Sequence, residues 1–199
     1  MGENRYKRPD HFTREAKKRG FPARSVFKLE EIDRRVRLLK KGQRVLDLGA
    51  APGSWSQYAA EKIGLQGKLL AVDLSPLKTG LPANAKFFTG DVFALPPEAF
   101  AEMGPYDVVL SDMAPSTTGT RESDQARSFD LFMRALELAA VHLAPRGSFV
   151  GKIFMGPDFT AAKKRVKELF ETERTIRPEG TRDSSFEIFL IGMGRRAVP

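Results

Sequence analysis

The sequence predicts an α/β fold: a seven-stranded, mostly parallel sheet with helices on both faces, an antiparallel last strand, and a short helical arm at the amino terminus. Three observations predict it. From Arg44 onward, apolar runs alternate with amphipathic stretches, the pattern of a parallel sheet covered on both sides by helices. The final two apolar runs are separated only by the turn-rich Pro178 to Ser184, too short for a crossover, so that pair must run antiparallel. Before Arg44, Val26, Leu29, Ile32 and Val36 recur at helical spacing, so the basic amino-terminal segment is structured.

Taken in order, the arm reads as a helix from Phe12 to Arg19, stopped by Gly20, and a second from Ser25, a candidate cap, to about Leu38. Strands are expected at Arg44 to Leu48, Lys68 to Leu74, Lys86 to Thr89, Tyr106 to Ser111, Ser148 to Phe154, Thr172 to Arg177 and Phe186 to Met193. Helices are expected near Ser54 to Ile63, Pro97 to Met103, Asp124 to Leu143 and Phe159 to Phe170, with Gly64, Gly104 and Gly147 as terminators. A chain of 199 residues with 41% apolar side chains supports one core, here divided into an arm over 1–43 and a main domain over 44–199.

Charge is distributed unevenly. Residues 1–44 hold 15 basic and 6 acidic side chains, against 18 and 19 in the remainder, so the whole net charge of +8 originates in the arm. A compact basic arm on a near-neutral body suits a polyanion, because phosphate contacts release counterions and steer encounter. The competing reading is a solvated tail that only adds solubility. The absence of cysteine excludes disulfides, thiolate metal sites and a cysteine nucleophile, and a reducing, cytoplasmic setting is expected. No apolar leader segment or run of eighteen uncharged apolar residues is present, so neither secretion nor a membrane partner is expected.

The stretch R-V-L-D-L-G-A-A-P-G, Arg44 to Gly53, ends the first strand and turns into a helix opening at Ser54. In a doubly wound sheet ligands lie beyond the carboxyl ends of the strands, and Gly49 and Gly53 let backbone approach them closely. The stretch is not a pyrophosphate loop: Ala50, Ala51 and Pro52 replace the G-x-G-x-x-G spacing, and Pro52 lacks the amide that phosphate needs. An adenosyl ligand without phosphates fits better, with Asp73 at the second strand's tip accepting ribose hydroxyls and Asp91 taking the adenine amino group. Each carboxylate alone is equally readable as a helix cap; several in register point to a ligand. Asp47, inside the first strand, is at least as well explained by holding the loop amides.

Asp112, in S-D-M-A-P-S after the fourth strand, stands where donor and acceptor should meet. Enzymes that methylate a base amino group follow this position with an aromatic plate for an extruded base. Met113, Ala114, Pro115 and Ser116 provide none, which favours a ribose hydroxyl as acceptor. Lys152 in V-G-K-I-F and Glu187 between Phe186 and Ile188 are charges inside apolar strands. Burying an unpaired ion costs several kcal/mol, so each is expected to compensate the other, with Lys28 of the arm completing a cluster. Taken singly, each is also readable as a strand-end charge reaching water.

The residues closely resemble the FtsJ family, also written RrmJ or RlmE, of ribose 2′-O-methyltransferases acting on large-subunit ribosomal RNA. The resemblance runs nearly end to end. It is carried by A-R-S-V-F-K-L at Ala23 to Leu29, D-L-G-A-A-P-G-S-W-S-Q-Y at Asp47 to Tyr58, S-D-M-A-P at Ser111 to Pro115, G-S-F-V-G-K-I-F at Gly147 to Phe154 and E-I-F-L-I at Glu187 to Ile191. It departs from the family at Ser54, where glycine is usual, at Val26, and at Pro22 and Ala23.

The resemblance implies a Rossmann-like, class I S-adenosylmethionine-dependent methyltransferase fold. It implies a catalytic tetrad of Lys28, Asp112, Lys152 and Glu187 with Lys152 at its centre, and cofactor contacts from Gly53, Trp55, Asp73, Asp91 and Asp112. The cofactor is then S-adenosylmethionine, with no metal, and the partner is ribosomal RNA in the large subunit, a uridine of 23S RNA in particular. A monomer that does not bind DNA is expected. Two rival readings stand beside it: a non-catalytic RNA-binding or ribosome-assembly factor on the same fold, since fold alone does not establish chemistry, and a methyltransferase for base nitrogens or small molecules.

Overall fold

The computed structural model describes residues 11–101, 103–182 and 185–197. The first ten residues of the expected arm, and Asp183 and Ser184 of the turn before the last strand, lie outside the described residues.

In chain order the elements are α1 (His11–Lys18), α2 (Val26–Val36), β1 (Arg44–Leu48), α3 (Ser54–Ile63), β2 (Lys68–Asp73), β3 (Ala85–Thr89), α4 (Pro97–Ala101), β4 (Tyr106–Ser111), α5 (Arg121–His142), β5 (Leu143–Phe154), α6 (Phe159–Leu169), β6 (Phe170–Ile176) and β7 (Glu187–Arg195). They form one seven-stranded sheet in the order β3-β2-β1-β4-β5-β7-β6. The pairs from β3 through β5 are parallel, and β7 runs antiparallel to both β5 and β6. Successive strands are added outward in one direction up to β3 and in the other from β4, so strand order switches between the parallel neighbours β1 and β4, and a crevice for a ligand opens at such a point.

Strand alternation divides the interior in two. Val45, Leu110, Val150, Phe189 and Ile191 face α2 and α3, meeting Val26, Leu29, Ile32, Tyr58 and Ile63. Leu46, Leu48, Val109, Phe149 and Leu190 face α4, α5 and α6, meeting Phe100, Phe132, Leu136 and Val166. Helix α2 therefore covers the same sheet face as α3. Its Val26, Leu29 and Ile32 are fully buried, while Arg34, Arg35 and Arg37 remain exposed.

Several boundaries shift from the sequence reading, most of them by one to three residues. Strand β5 begins at Leu143 rather than Ser148, and α5 ends at His142 without a glycine. Pro145 forbids further helix, and the strand absorbs it through an irregular register opposite Tyr106 to Val108, with Arg146 at φ 64°. Likewise α6 gives way to β6 directly at Phe170 instead of through a turn. Ser25 occupies the position before α2, but its hydroxyl makes no cap hydrogen bond.

Candidate active site

The expected site residues lie at the carboxyl ends of β2 and β4, in the loop after β3, at the start of α3, and on β5, β7 and α2. Lys152 shares strand parity with Val150, and Glu187 with Phe189, so both side chains belong to the sheet face that α2 covers. Lys28 lies on α2 between the buried Val26 and Leu29 and reaches the same place. All of this follows from period: a two-residue strand repeat and a helix laid across it bring three charges from distant segments to one face.

Two ion pairs result. Lys152 Nζ lies 2.9 Å from Asp112 Oδ1 and donates to the Asp112 backbone carbonyl at 2.7 Å. Lys28 Nζ pairs with Glu187 Oε1, which also accepts from the Thr181 hydroxyl at 3.4 Å. The pairing differs from the mutual Lys152–Glu187 compensation anticipated above. Asp112 ends the parallel neighbour of β5, immediately beside Lys152, whereas Glu187 is in register with Phe154 and turns to the helix. Lys152 is 7% exposed and Lys28 8%, so each ammonium sits where an unpaired charge would be costly.

Next to the Lys152–Asp112 pair lies a cavity of about 300 Å³, lined by Gly49, Ala51, Asp73, Ser75, Gly90, Asp91, Asp112 and Met113 among others. That volume is at the lower end for small-molecule sites. Asp73 accepts from the Ala51 amide at 2.9 Å and the Ser75 amide at 2.7 Å. Asp91 Oδ1 accepts from the Phe93 amide at 2.9 Å. These bonds aim the carboxylates and still leave lone pairs for a ligand's hydroxyl or amino groups. Three lining residues are carboxylates and none is Lys or Arg, which repels a phosphate and suits an adenosyl sulfonium. Gly49, at φ 76°, is pressed so close to Met113 that a Cβ there would lie 2.6 Å from its side chain.

Gly53 and Trp55 are placed outside the residues that line this cavity. Gly53, at φ 115°, opens α3 beneath Thr79. The Trp55 ring is 2% exposed, packs on Phe189 at 5.6 Å between centroids, and donates Nε1–H to the Ser25 carbonyl at 2.9 Å. The side chain is thus a tether between α3 and the start of α2. Ser54 is a second tether: its hydroxyl accepts from the Ala23 amide at 2.8 Å and donates to the Ala23 carbonyl at 3.0 Å. The Tyr58 hydroxyl adds a third, to Asp33 at 2.9 Å. These four bonds, from three side chains, hold the helix that carries Lys28 and the turn before it, and the sequence reading assigned none of them; the departure from glycine at Ser54 was the available signal.

Asp47 lies behind the cavity, fully buried, with Oδ2 accepting from the Ser56 hydroxyl at 2.5 Å. Burial pushes its carboxyl up to about 7; the Ser56 bond opposes this and the charges of Asp112 and Asp73 add to it. Among the described residues no group of three or more His, Asp or Glu side chains is arranged to hold a metal ion.

The model of the FtsJ-like methyltransferases matches residues 21–195. The chain belongs to the FtsJ-like methyltransferase family. Among curated relatives, the protein named ribosomal RNA large subunit methyltransferase E of Sorangium cellulosum is 63% identical over 196 residues, covering 98% of this chain and 92% of the relative. A protein of the same name from Oleidesulfovibrio alaskensis is 51% identical over 193 residues, covering 96% and 93%. A Plasmodium falciparum crystal structure described as a ribosomal RNA methyltransferase superposes with a TM-score of 0.78 at 22% identity, covering 89% of this chain and all of that one. This last likeness is one of fold, and it agrees with the mostly parallel seven-stranded sheet seen in this family member.

Proposed function

We propose that this chain transfers a methyl group from S-adenosylmethionine to a ribose 2′-hydroxyl of large-subunit ribosomal RNA. The observation that carries the reading is the buried Lys152–Asp112 pair at the rim of an acidic cavity, with Lys28–Glu187 beside it. The curated relatives' names, large subunit methyltransferase E, supply the substrate class.

S-Adenosylmethionine, when bound, supplies a methyl group activated by a positively charged sulfur. Asp73 and Asp91 would hold its ribose and adenine, and Asp112 its cationic end, with Gly53 and the main chain at Trp55 closing the loop side. Lys152 carries three N–H donors. The Asp112 carbonyl accepts one, its Oδ1 supplies the opposing charge at 2.9 Å, and a further donor is available to a ribose oxygen. Donation from Nζ fixes that oxygen and turns its lone pair toward the methyl, while the cluster's carboxylates are the acceptors for the hydroxyl proton. Orientation of this kind is worth about 7 to 11 kcal/mol of barrier, more than the hundred- to ten-thousandfold typical of proton transfer alone. Lys28 and Glu187 position the cluster from the α2 side.

The arm, residues 1–43, supplies the RNA contact. Lys17, Lys18, Arg34 and Arg35 are exposed on its two helices, whereas Arg19 is engaged by Glu30 and lies over the rings of Phe21 and Phe27 at 5.4 and 5.3 Å. A cytoplasmic protein acting as a monomer fits this reading. The test is mass spectrometry of ribosomal RNA labelled by the purified protein: the reading requires one 2′-O-methylated nucleoside. A methyl group on a base nitrogen would favour the rival base methyltransferase, and no transfer at all the assembly factor.

A further inference from the structure

A second cavity, of about 290 Å³, opens beyond the end of β5 and the start of β7, further along the sheet than the acidic pocket at β4; Thr117, Arg121, Gln125, Phe154 and Phe186 line it. Phe186 is 46% exposed, and the Arg121 guanidinium lies over its ring at 3.8 Å from the centroid. The walls are braced. Asp124 Oδ1 accepts from the Thr118 amide at 2.8 Å and the Thr118 hydroxyl at 3.0 Å, which holds the loop entering α5. Gln125 donates to the Met155 carbonyl, and the Met155 amide to the Phe186 carbonyl at 2.8 Å.

We propose that Arg121 and Phe186 form a stacking platform for a nucleobase of the acceptor strand, which brings the adjoining ribose to Lys152. The inference rests on the proposed function and adds residues outside the tetrad. A planar cation over an exposed ring offers flat, apolar and positively charged surface, the chemistry on which unpaired bases stack. Position favours the same occupant: Phe186 directly precedes Glu187, and the loop from Asp112 to Thr117 joins the two cavities.

The experiment compares Phe186→Leu, Phe186→Tyr and Arg121→Ala with the wild type, using large subunits from cells lacking the enzyme as methyl acceptor. Loss of a stacked base should raise KM for the particles about tenfold or more in Phe186→Leu, with kcat, cofactor affinity and melting temperature close to wild type. Phe186→Tyr, which keeps the ring, should recover most of that loss, and Arg121→Ala should share it in part. Equal KM values for Leu, Tyr and wild type would overturn the platform and leave the proposed function intact. Wild-type protein that methylates no ribose would instead overturn the function and the platform with it.

Discussion

Lys152 holds Asp112 by two atoms at once, its Nζ lying 2.9 Å from the side-chain oxygen and 2.7 Å from the backbone oxygen. A single ammonium thereby ties the residue that follows β4 to the carboxyl end of β5, beside the acidic cavity that Asp112 lines. Because the backbone contact does not depend on the carboxylate, Asp112→Asn should leave Lys152 near its place. It should still lower turnover more than it lowers cofactor affinity, a comparison that calorimetry and single-turnover kinetics make directly.

Glu187 neutralises Lys28 rather than Lys152. Glu187→Ala should therefore cost stability, about 3 kcal/mol for an ammonium left buried without its partner, and should slow transfer less than loss of Lys152 does. Denaturant unfolding and initial rates on the same preparation check both halves. A Glu187→Ala protein of wild-type stability would show that Lys28 does not need the carboxylate.

Asp47 makes stability depend on pH. Its carboxyl is pushed up to about 7 by burial, whereas an unfolded carboxyl titrates near 4. Between about pH 4 and pH 7 the folded chain keeps a proton that the unfolded chain has released, so this residue's contribution to stability falls as pH rises and levels off above pH 7. Asp47→Asn should remove a slope of roughly 1.4 kcal/mol per pH unit in that window. Melting curves at pH 5 and pH 8 suffice, and parallel behaviour of variant and wild type would deny Asp47 this role.

Salt dependence reports on the arm. Replacing Lys17 and Lys18 with alanine, while sparing Arg19 because Glu30 and two aromatic rings already occupy it, should weaken RNA binding. Each lost phosphate contact should reduce the slope of log affinity against log salt by roughly 0.7 to 0.9. An unchanged slope would place these lysines off the RNA.

The sheet was legible because its strands are short apolar runs bounded by polar turns, and the antiparallel last pair because Pro178 to Ser184 leaves no room for a crossover. The start of β5 was not, since Gly147 read as the terminator of the preceding helix, whereas Pro145, Arg146 and Gly147 form an irregular segment within a strand. The four charges of the two ion pairs, Lys28, Asp112, Lys152 and Glu187, were identifiable by type and position. Their pairing was not, because it is decided by which strand end lies nearest Lys152, a matter of sheet order rather than spacing. Trp55 was assigned to the cofactor through the family resemblance; its ring ties α3 to the turn before α2, a contact between segments that no local pattern announces. Phe186 was given no ligand role for the same reason, its partner Arg121 arriving from the distant start of α5.

The most direct test of the cluster at the centre of this account is Lys152→Ala, assayed for S-adenosylmethionine affinity and for methyl transfer to large subunits lacking the modification. Binding should stay within a few fold of wild type, since Asp73 and Asp91 are untouched, while transfer should fall by on the order of a thousandfold. Transfer within tenfold of wild type would contradict it and remove Lys152 from the reaction.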